Sequence, residues 1–74
     1  MMYMGAGSRL HDGVVASFDP AAGTGTITAG DGVVLPFHCI EIADGSRTIA
    51  PGTGVEFQML AKFGRYQAAQ IRPV

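Results

Sequence analysis

The chain has 74 residues, a formal net charge of −1 and one cysteine, and 47% of its residues are hydrophobic against 15% charged. This length allows one domain with one small core, burying about 60% of the surface that the unfolded chain exposes. The charge argues against electrostatic capture of duplex nucleic acid, which needs enough Lys and Arg to displace counterions from many phosphates. Single strands, held largely by base stacking, are not excluded.

Met1 to Ser8 has two glycines, a serine and no periodicity, so 1–9 reads as a flexible tail and 10–74 as the folded domain. It also lacks the basic start and long apolar centre of a signal peptide, and no apolar run approaches the ~18 residues of a membrane span. Cys39 has no partner for an internal disulfide, which fits a reducing compartment. The expectation is a cytoplasmic protein with no membrane partner.

The 11 glycines and 4 prolines favour turns over long helices. Val14-Val15-Ala16-Ser17-Phe18 is rich in strand formers, and Asp19-Pro20 closes it with turn chemistry. Val15 and Phe18 stand three apart, so both face inward only if a bulge interrupts the pleat; otherwise Phe18 faces out. Gly23 to Ala29 alternates, with Thr24, Thr26 and Thr28 on one side and Gly25, Ile27 and Ala29 on the other, the period of a half-buried strand. Gly30-Asp31-Gly32 supplies a hairpin turn whose glycines allow positive φ. In the third strand, Val33 to His38, Pro36 cannot donate to a ladder, which predicts an edge strand in a meander with the second strand at its centre.

Cys39 to Ala43 is too short for a stable helix and reads as one tight turn, with Ile40 or Ile42 plugging the core. Turn residues recur at Asp44-Gly45-Ser46 and Pro51-Gly52-Thr53-Gly54. Then Val55, Phe57 and Met59 alternate with Glu56, Gln58 and Leu60 in a one-side-buried strand. Lys62-Phe63-Gly64-Arg65 reads as a hairpin, and Tyr66 to Arg72 as a fifth strand with Ala69 and Ile71 on one face. Five short strands without a helical period predict an all-β fold, a small five-stranded antiparallel barrel or sandwich. Across the second and third strands the expectation is an open surface of Thr24, Thr26, Leu35 and Phe37 over a core of Ile27 and Val34.

The order of elements and several residues resemble the cold-shock domain, a five-stranded OB-fold barrel that binds single-stranded RNA and DNA. The likeness runs from about Gly13 to Ile71. Gly13-Val14-Val15 through Phe18-Asp19 resembles the family's opening glycine-lysine-valine-lysine-tryptophan-phenylalanine-asparagine. Gly23-Thr24-Gly25-Thr26-Ile27 stands at the first ribonucleoprotein motif, lysine-glycine-phenylalanine-glycine-phenylalanine-isoleucine. Leu35-Pro36-Phe37-His38-Cys39 stands at the second, phenylalanine-valine-histidine-phenylalanine-serine, with the histidine-phenylalanine pair inverted. Gln67-Ala68-Ala69 is the most specific match. Ser17 replaces the stacking tryptophan, Thr24 and Thr26 the paired phenylalanines, and Leu35 a third aromatic, so three or four platforms worth about 1–3 kcal/mol each are gone.

The resemblance implies a sheet-face site for single-stranded nucleic acid at Ser17, Phe18, Thr24, Thr26, Leu35, Phe37 and His38; Arg47, Lys62 and Arg65, in loops at the rim, are candidate phosphate contacts. Tyr66 is a further platform candidate. Each residue also has an ordinary structural role: Phe18 and Phe37 as packing, the threonines as strand formers, the arginines as solvated surface. The alternative is a protein-interaction or weakly homodimerising module on the same scaffold, with Val33, Leu35 and Phe37 as an apolar patch.

Enzyme chemistry is not expected. One Cys and two His residues do not make a tetrahedral metal site, and the glycine-rich stretch lacks the Gly-Lys-Ser/Thr ending of a phosphate loop. Paired carboxylates, a triad order and a cofactor fingerprint are also missing from the sequence, so no cofactor is expected.

Overall fold

The computed structural model describes residues 10–62 and 64–74; the tail 1–9 and the hairpin residue Phe63 lie outside them. One five-stranded antiparallel sheet forms, with strands β1 (His11–Asp19), β2 (Thr24–Ala29), β3 (Val34–His38), β4 (Gly54–Lys62) and β5 (Arg65–Pro73) in the order β3-β2-β1-β4-β5. As the proline predicted, β3 is an edge strand and β2 the centre of the β1–β3 meander. The sheet curls until β3 and β5 touch. At that seam Ile42 bridges Ile71 in parallel, and Ala43 N donates to Ile71 O at 2.8 Å.

Two bulges produce the curl. Val15 pairs with Ile27 but Ser17 with Thr26, so Ala16 is an extra residue on β1. This settles the three-residue offset: the bulge reverses the phase, and Val15 and Phe18 both turn inward. On β5 the register slips between Glu56 opposite Arg72 and Gln58 opposite Ala69. The extra residue is Gln70, at φ 52°, and its N–H donates to Glu41 Oε1 at 3.4 Å. The bulge buries Ala68, Ala69 and Ile71 together, where plain alternation would have turned Ala68 out.

The core contains Val15, Ile27, Leu35, Phe37, Ile42, Val55, Phe57, Ala68 and Ile71, with Phe18, Ile49 and Met59 packed at its margin. Here the third strand departs from expectation. Leu35 and Phe37 are each 3% exposed, whereas Val34 is 58% exposed. The cause is register: Ile27 pairs with Leu35 and Gly25 with Phe37, and directly paired residues share a face, so both follow Ile27 inward. Gly25 lets the Phe37 ring lie across β2, since a Cβ there would overlap Ser17 O and stand 2.7 Å from Phe37 Cζ. Of the two isoleucines offered for the plug, Ile42 fills it and Ile40 is exposed. The turn before it is a 3-10 helix, Cys39–Glu41. No helix among the described residues is long and apolar enough to cross a membrane.

Candidate nucleic-acid interface

The outer face of the β1–β3 meander is built from the residues that the core leaves behind. Cross-strand pairing sets them in rows: Val14, Thr28 and Val34; then Ser17, Thr26 and Pro36; then Asp19, Thr24 and His38. The β1 bulge puts Ser17 opposite Thr26, where their hydroxyls bond at 2.8 Å. The face is shallow, since most of its side chains are threonine-sized and among these rows His38 carries the one aromatic ring.

His38 is exposed at the end of β3 and caps the 3-10 turn: Ile40 N donates to its Nδ1 at 3.4 Å, and the Cys39 thiol lies 3.8 Å from the same atom. With Nδ1 accepting, the neutral ring carries its proton on Nε2, a donor facing away from the turn. The neighbouring Asp19 folds onto its own turn, accepting from Ala21 N at 3.0 Å.

The predicted site residues therefore separate. Ser17, Thr24, Thr26 and His38 share the outer face. Leu35 and Phe37 do not: they are core residues, and no base can reach them. The apolar patch of Val33, Leu35 and Phe37 is not formed either, because only Val33 is exposed. Phe18 is half-buried beneath the face, its ring stacked on Phe37 at 6.0 Å between centroids and 15° between planes. Arg47 is exposed in the loop after the 3-10 turn, and Arg65 and Tyr66 are exposed at the start of β5. Asp44, in the same loop as Arg47, has its carboxyl held below the usual range by the Ser46 N–H, which donates to it at 2.9 Å.

Pro36, Val34 and Val14 are face residues that the sequence pattern did not single out, whereas Thr28 lies on the side that the alternation gave it. On β3 the difference is one residue of phase in the second-motif match. His38 then stands at the motif's histidine and Pro36 at its first phenylalanine, so no inversion is needed. Elsewhere, His11 stacks on Phe57 with centroids 5.7 Å apart, a packing role. Among the described residues no cluster of three His, Cys, Asp or Glu side chains could hold a metal ion.

No family model matches the chain, and no curated protein sequence does. Among solved structures, Drosophila Unr CSD456 is similar over 93% of this chain, with 30% sequence identity and a TM-score of 0.78. The chain spans 28% of the length of that structure's chain. With its strand order and curled meander, the chain is a cold-shock-like OB-fold, similar to a cold-shock domain of Drosophila Unr.

Proposed function

We propose that this protein is a non-enzymatic binding module that holds single-stranded nucleic acid weakly and with low specificity on the outer face of β1–β3. The observation that carries the reading is the placement of His38 beside Thr24, next to the bonded Ser17–Thr26 pair, on an open face of a cold-shock-like barrel. Cold-shock domains bind nucleic acids as a class, and in this reading the face stands at their motif positions with a changed chemistry. One imidazole can stack on a base, and the hydroxyls can bond base edges or phosphate oxygens. Arg47 and Arg65 remain candidates for phosphate contacts from the loops. With about one stacking platform in place of several, affinity should lie in the micromolar to sub-millimolar range.

The test is amide chemical-shift mapping of the full chain with oligo-dT and oligo-U. The reading expects shifts at Ser17, Thr24, Thr26 and His38, and a roughly five- to hundredfold loss of affinity in His38→Ala. Unchanged affinity in that variant, or shifts confined to β4–β5, would overturn the site.

A further inference from the structure

We infer that the other end of the same outer face, where the start of β1 meets the β2–β3 turn, docks a protein segment that pairs an apolar side chain with Lys or Arg. Opposite Asp12 in the sheet stands Gly30, whose N–H donates to Asp12 O at 3.0 Å. Without a side chain there, the backbone forms the floor of an open hollow walled by Asp12, Val14 and Thr28. A second hollow continues from it round the end of the barrel, past Leu10, His11, Asp31 and Met59. The space is real, for a Cβ built on Gly30 would meet only Asp12 O, at 3.8 Å. Around it the apolar surface is solvent-facing, with Leu10 48%, Val14 47% and Val34 58% exposed.

Charge selects the occupant. Asp12 and Asp31 border the hollows and Glu56 pairs with Asp12 from β4, while Arg72, the described basic residue of that row, lies one strand further on, opposite Glu56. A phosphodiester strand meets repulsion here. A basic side chain instead lays its methylene stem along Val14 and Thr28 and brings its head to the carboxylates, while a neighbouring apolar side chain fills the gap over Gly30. Gly30, the floor of the hollow, lies four residues along the chain from Thr26, about 13 Å, while the wall residue Thr28 stands next to Thr26 on the same face, so the two sites adjoin.

The test uses the full chain and two extended peptides, one alternating Lys with Val and a twin with Glu in place of Lys. The basic peptide is expected to shift the amides of Asp12, Val14, Thr28 and Gly30 and to bind more weakly as salt rises. The Asp12→Asn/Asp31→Asn double variant should weaken it roughly fivefold. Gly30→Val, which fills the hollow at a position without positive φ, should do the same while leaving oligo-dT affinity and thermal stability unchanged. Equal binding of the acidic twin, shifts elsewhere, unchanged affinity in both variants, or displacement of the basic peptide by oligo-dT from these same amides would each overturn the proposal. None of those results bears on whether oligo-dT itself contacts His38.

Discussion

Replacing Phe37 and, separately, the adjacent His38 by alanine tests how the third strand is phased, because the two side chains leave it on opposite faces. Phe37 is 3% exposed, packs in the core and stacks on Phe18, and truncating a buried phenylalanine costs about 3–5 kcal/mol. A domain of this size has a total stability of roughly 3–10 kcal/mol. Phe37→Ala should therefore lower the melting temperature by at least about 12 °C, at roughly 4 °C or more per kcal/mol, and should leave part of the population unfolded at 37 °C. His38→Ala removes an exposed ring and the cap on Ile40 N, a loss of about 0.5–1 kcal/mol and a shift of only a few degrees. Thermal and urea unfolding followed by circular dichroism separate the two. If Phe37→Ala melts within roughly 5 °C of the parent yet loses oligonucleotide affinity, Phe37 faces the ligand and the pairing of Gly25 with Phe37 is wrong.

Gly25→Ala should be destabilised by about 1–3 kcal/mol or more, since its Cβ would meet Ser17 O and the Phe37 ring; a urea midpoint equal to the parent's would refute that close approach. Gln70→Gly removes a non-glycine residue from φ 52° and should raise stability by up to about 1 kcal/mol, whereas a clear loss would mean that the glutamine side chain supports the bulge. Thr24→Phe puts a ring beside His38 on the exposed face and should tighten oligo-dT binding roughly fivefold or more; no gain would indicate that the strand runs elsewhere.

Most of the architecture was legible in the sequence because its signals are local. Pro36 marked the edge strand, the threonine alternation phased β2, and Val55, Phe57 and Met59 phased β4. The phase of β3 was harder to read, since Val33 to Phe37 is apolar on both faces and alternation alone does not choose between them. The information lay in the turn. Gly30-Asp31-Gly32 is a three-residue hairpin loop with Gly32 at φ 91°, and that length sets Ala29 beside Val33, whose carbonyl accepts the Ala29 N–H at 2.8 Å. Counting inward from there gives Ile27 opposite Leu35, which moves Leu35 and Phe37 from the proposed site into the core. The bulge at Gln70 had no such signal, because its positive φ is held by tertiary contacts that include Glu41.

The central claim, that the outer face of β1–β3 holds single strands with little help from charge, is tested most directly by fluorescence anisotropy of labelled oligo-dT and oligo-U across a salt series. Residues 10–38 contribute no Lys or Arg, and each phosphate neutralised on a single strand adds about 0.7 to the slope of log K against log salt. The account predicts saturable binding in the micromolar to sub-millimolar range with a slope shallower than about −1.5. No binding at sub-millimolar protein, or tight binding with a slope of about −3 or steeper, would contradict it.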